Sequence, residues 1–161
     1  MKMPKRLHTA SVLPGGKILV DGGFYNNTLA SAEIYDPLTG NWTRTGYMNF
    51  PRYSHETIVL SNGAALVVGG TDDGTASAHC EMYDPVSGNW TIKRDFTKRR
   101  YGYTLSLLQN ESVFVTGGRC QSDALSICEL FDIANGTWSL VVSLNNKRYE
   151  RTQQLFNLTE K

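Results

Sequence analysis

Disulfide chemistry has little to work with in this chain. Its 161 residues include three cysteines, an odd count with no C-x-x-C pair and no metal-ligand spacing. Charge of one sign is also missing. Sixteen Lys and Arg stand against 15 Asp and Glu, for a net charge of +1, so composition gives no footprint for nucleic acid or an anionic membrane surface. Long apolar runs are absent too. The best, such as residues 64–68, are strand-sized and far below the roughly 20 residues a membrane helix needs, so no membrane span is expected. Residues 1–6 are basic, but no apolar stretch follows to make a signal peptide. No segment holds a helical pattern for about 10–12 residues.

What the chain has is a repeat. Gly22-Gly23, Gly69-Gly70 and Gly117-Gly118 recur at spacings of 47 and 48. Trp42, Trp90 and Trp138 stand 48 apart, as do Tyr35-Asp36, Tyr83-Asp84 and Phe131-Asp132. Glu33, Glu81 and Glu129 precede those aromatics by two, and Arg52, Arg100 and Arg148 follow each tryptophan by ten. Within each period, short β-prone runs (9–13, 56–60, 104–108) lead through tight turns at 14–16, 61–63 and 109–111 into an apolar run that ends at the double glycine. A third run reaches the aromatic-Asp pair, and a fourth begins at the tryptophan. Four strands in a period of nearly 50 residues predict one blade of a β-propeller.

The double glycine, the later aromatic-Asp and the tryptophan, in that order and spacing, resemble the kelch repeat of the galactose oxidase/kelch propeller superfamily. The compact S-x-D-x-G-x-x-W turn of Asp-box propellers is absent. The fold class expected is all-β: a partial β-propeller of three four-stranded antiparallel kelch blades plus the first strand of a fourth. The expected blades are 1–49, 50–97 and 98–145, with 146–161 an incomplete fourth, and the chain reads as a fragment of a larger repeat protein. An open arc leaves two blade faces uncovered, expected to carry Ile34, Tyr35, Met82 and Phe131. Missing repeats of a parent chain, or self-association, would close the propeller.

Residues that recur in every period are expected to build the scaffold: glycines for unusual backbone, aromatics for packing between blades, and Glu and Arg for an ion pair or for backbone hydrogen bonds, since a buried Glu needs such a partner. His8 and His55 share one repeat position that Tyr103 occupies in the third period, so no catalytic or metal role is assigned to them, nor any cofactor. The periods disagree in two connections, those between second and third strands and those from each fourth strand to the next first strand. In an up-and-down blade both emerge at the same end, where rigid scaffolds carry binding residues. The candidate binding residues are therefore Phe24, Tyr25, Asp72, Asp73, Lys98, Arg99 and Arg119.

Cys80 and Cys128 align with Ala32 and read as small buried residues. Cys120 and Cys128 are also candidates for a disulfide across a hairpin. Asn26 and Asn110 are loop acceptors for N-glycosylation, pointing with that disulfide to a secreted or surface parent. The resemblance implies a non-enzymatic module that presents loops to a protein or glycan. Kelch proteins as a family bind actin or recruit substrates to ubiquitin ligases. Two other readings are a fragment of a galactose-oxidase-like copper enzyme and a structural array in a long extracellular protein.

Overall fold

A computed structural model describes residues 4–149, and among them there is no helix. Twelve strands form three four-stranded antiparallel sheets, each in simple sequence order. The first contains Thr9–Val12, Ile18–Asp21, Ala32–Asp36 and Asn41–Arg44. The second contains Glu56–Val59, Ala65–Val68, Cys80–Tyr83 and Trp90–Lys93. The third contains Thr104–Leu107, Val113–Thr116, Cys128–Asp132 and Thr137–Val141. The expected incomplete fourth blade lies mostly outside the described residues, although Arg148 already pairs with Leu125.

The strands occur where short apolar or β-prone runs meet turn residues. Gly15, Gly16 and Gly63 supply positive φ between first and second strands, and Glu111 does so in the third sheet. The register is the same in each sheet, with Tyr35 opposite Trp42, Tyr83 opposite Trp90 and Phe131 opposite Trp138. The ring centroids of each pair are 4.9 Å apart.

The core lies between sheets rather than within one. Leu13, Leu19, Ala32 and Ile34 of the first sheet meet Ala65, Tyr83 and Trp90 of the second. Leu66, Val68, Cys80 and Met82 of the second meet Val113, Val115, Phe131 and Trp138 of the third. First strands of neighbouring sheets approach one another, which places the axis of the arc on their side.

This arrangement corrects one expectation. Ile34, Met82 and Phe131 face a neighbouring sheet, and Phe131 is 1% exposed. Of these four, Tyr35 alone lies on the outer side of the first sheet, because its neighbour Ile34 points into the first junction and strand side chains alternate. The sequence does not distinguish these faces, because both sides of such strands are apolar.

Candidate functional site

The two connections that vary between periods lie together, and the same backbone device holds them. Arg52 and Arg100 are each a staple between sheets. The Arg100 guanidinium donates through Nη1 to the carbonyls of Gly117 at 2.9 Å and Ile127 at 2.8 Å, through Nη2 to Glu129, and through Nε to the Lys98 carbonyl at 3.2 Å. Its own carbonyl accepts from Gly70 N of the preceding sheet at 3.2 Å. Arg52 repeats this with Gly69, His79, Glu81 and Phe50 at 2.7–3.3 Å, and its carbonyl accepts from Gly23 N at 2.8 Å. Both pairs are fully buried. Burial pulls the Arg100 guanidinium below its ordinary value, and Glu129 opposes that pull.

The double glycine is the seat for this staple. A Cβ on Gly69 would stand 2.8 Å from the Arg100 carbonyl, and one on Gly22 2.6 Å from that of Arg52. In the first sheet Lys5 holds the arginine's place and donates to Ser31 Oγ at 3.3 Å. Burial lowers the Lys5 ammonium, while Glu33 and Asp21 pull it back up.

Beyond each double glycine the chain forms a two-stranded ribbon where the sequence suggested only a loop. Phe24–Tyr25 pairs with Asn27–Thr28, Thr71–Asp72 with Thr75–Ala76, and Arg119–Cys120 with Asp123–Ala124. Positive φ at Asn26, Asp73 and Gln121 makes the tight reversals. Bridges from Arg6 to Phe24, Tyr53 to Thr71 and Tyr101 to Arg119 sew each ribbon to the segment entering its sheet. The variable segments therefore share one end of the arc.

Every candidate binding residue sits on these segments. Asp72, Asp73, Lys98 and Arg99 are exposed, Tyr25 is 45% exposed, and Phe24 and Arg119 are half-buried. Phe24 touches Tyr53 edge to face at 5.4 Å under the Arg6 guanidinium, and Arg119 lies over the Tyr149 ring at 5.1 Å. A groove of about 370 Å³ is lined by Pro4, Lys5, Arg6, Phe24, Tyr25 and Asn26. The acceptor Asn26 is exposed at a ribbon tip. Asn110 is exposed at the opposite end, where its Oδ1 accepts from Ser112 N.

The cysteine pairing requires correction. Cys80, Cys120 and Cys128 are free thiols. Cys120 lies across from Asp123 inside its own ribbon, whereas Cys128 pairs with Thr116 and Val141 in the main sheet. The ribbon takes up the residues that a simple hairpin would have used to bring the two sulfurs together. Cys80 and Cys128 are buried, as their alignment with Ala32 predicts.

One cluster had no signal in the sequence. Between the first two sheets, Asp21 Oδ2 lies 2.9 Å from His55 Nε2 and accepts from Thr57 Oγ1 at 3.0 Å, while Thr9 Oγ1 donates to Asp21 Oδ1 at 3.1 Å. Asp21 and His55 are 0% and 1% exposed. At that depth the group ties sheets together rather than meeting a ligand. Only its lack of repetition distinguishes it, since Asp21 aligns with Val68 and Thr116. Among the described residues, no three His, Cys, Asp or Glu side chains gather at metal-holding distance.

The sequence matches the kelch motif family over residues 5–49 and 52–97, more than half of the chain. The solved structure of YjhT superposes with a TM-score of 0.77 at 15% identity, covering 91% of this chain and 54% of that one. The chain thus spans about half the length of YjhT. No curated protein matches it.

Proposed function

The chain belongs to the kelch-repeat family, and from that premise we propose that it is a non-enzymatic interaction module whose ribbon end binds a protein or a glycan. One observation supports this most: the backbone of the variable end is pinned by the same arginine-to-carbonyl contacts at Arg52 and Arg100, while its side chains do not repeat. Phe50-Pro51 in one connection becomes Lys98-Arg99 in the next, and Phe24-Tyr25 in one ribbon becomes Thr71-Asp72 and then Arg119-Cys120. A fixed frame with changing side chains suits recognition, because little ordering entropy is lost on binding.

The test is affinity capture of partners by the chain from its native source, repeated with variants. Asp72→Ala with Asp73→Gly, and separately Lys98→Ala with Arg99→Ala, should each remove partners while leaving the melting temperature unchanged. If only changes in the tight turns around Asn62 or Asn89 removed them, the assignment of the ribbon end would be wrong.

A further inference from the structure

The connection between the second and third sheets carries a cation pair that the scaffold does not use. Arg94, Lys98 and Arg99 are all exposed, and none forms an ion pair among the described residues. The nearby acid in sequence, Asp95, is engaged elsewhere, its Oδ2 lying 3.0 Å from His79 Nδ1. The corresponding connection between the first and second sheets has Gly46, Phe50 and Pro51 at these places, so packing does not require the charges.

The backbone beneath the pair is held on both sides. Thr97 N donates to Glu129 Oε2 at 2.8 Å. The Lys98 carbonyl accepts from Arg100 Nε at 3.2 Å. Arg100 N donates to the Ser77 carbonyl at 3.1 Å, just after the second ribbon, and Tyr101 pairs with Arg119 of the third. Lys98 and Arg99 therefore project from a rigid segment between two ribbons. Phe50, the equivalent of Lys98, likewise accepts at its carbonyl from the arginine Nε of Arg52, donates its own N–H to Glu81 Oε1, and stacks on the His79 ring at 3.9 Å. The pinned backbone displays whatever side chain the sequence puts on it.

We propose that this connection docks an acidic peptide segment of a partner protein, with Lys98 and Arg99 meeting its carboxylates and Arg94 at the margin. This rests on the interaction-module reading above and names the partner chemistry for one part of that surface. The held backbone confines the ordering cost to the two side chains, and complementary charge fixes orientation and speeds encounter. A net charge of only +1 makes the field local, which suits a short acidic segment better than a nucleic acid.

The test uses the full chain and fluorescein-labelled octaglutamate, with octalysine, an uncharged Gly-Ser octamer and a single-stranded DNA octamer as controls, read by anisotropy. Octaglutamate should bind over the peptide controls and over DNA, and weaken as salt rises from 50 to 300 mM. Lys98→Ala/Arg99→Ala should weaken it by about fivefold, with the circular dichroism spectrum and melting temperature unchanged. Phe50→Ala should leave it unaltered. No octaglutamate binding, binding indifferent to the double substitution, or tighter binding of DNA or octalysine would each overturn the proposal. If native partners were still lost on Asp72 and Asp73 substitution, the module reading would survive that failure.

Discussion

The junction between the first and second sheets and the junction between the second and third are built from the same repeated residues and differ where the repeat lapses. In both, an arginine staple seats on a double glycine, and an indole N–H crosses to the neighbouring sheet: Trp90 Nε1 to the Gly46 carbonyl at 2.9 Å, Trp138 Nε1 to the Arg94 carbonyl at 3.0 Å. Towards the axis they diverge. The first junction holds the polar cluster of Asp21, His55, Thr9 and Thr57, whereas in the second Tyr103 takes the place of His55 and donates its hydroxyl to the Val68 carbonyl. Thus a repeat can keep its geometry while exchanging a buried polar group for a largely apolar contact, provided each buried donor finds an acceptor.

The strongest way to break the comparison is to remove the shared element. Glu81→Ala and Glu129→Ala each strand a buried guanidinium and should each cost about 3–5 kcal/mol in urea unfolding. A large cost at one site and none at the other would mean that the staples are not equivalent. The next effect sharpens the difference. Asp21→Ala leaves His55, Thr9 and Thr57 without their shared acceptor and should cost about 2–3 kcal/mol, whereas Tyr103→Phe, which loses one hydroxyl donor, should cost about 1 kcal/mol. Equal losses would erase the distinction between the junctions.

The second junction should also show itself in alkali. Burial pushes the Cys80 thiol up from 9.0 to about 12 and raises the Tyr103 phenol well above its ordinary value. The folded form holds these protons more tightly than the unfolded chain. Their contribution is therefore complete below about pH 9 and declines as pH climbs towards 12. Melting temperature should fall over that range, and less steeply in Cys80→Ala. A flat profile would show that these groups do not stay protonated in the fold. The smallest effect concerns the thiols. At pH 8, Cys120 should alkylate in the native protein and Cys80 and Cys128 only after unfolding, and Cys120→Ser should change stability by no more than about 0.5 kcal/mol. Protection of Cys120 together with a large loss would restore the bridge to Cys128.

Much of this was legible in the sequence because the scaffold repeats. The glycine pairs, Glu33, Glu81 and Glu129, and the tryptophans declare the sheets, and the alignment of Cys80 and Cys128 with Ala32 declares a buried site. The Asp21–His55 contact was not legible. It joins residues 34 apart across two sheets, and no local period marks it. The ribbons escaped as well, since a two-residue strand is too short to show alternation. The faces of Ile34, Met82 and Phe131 were misjudged because only the order of the sheets decides which side is covered. The candidate binding residues all lie on the variable segments, but the pinning beneath Lys98 and Arg99 is a backbone property that no side chain announces.

The central claim is a division of labour between residues that hold the arc and residues that it displays. Arg99 and Arg100 are adjacent, chemically identical and assigned to opposite roles. Comparing the urea unfolding of Arg99→Ala and Arg100→Ala tests the claim directly. The account predicts a change within about 0.5 kcal/mol for the first and a loss of about 3–5 kcal/mol for the second. Comparable losses at both positions would contradict it.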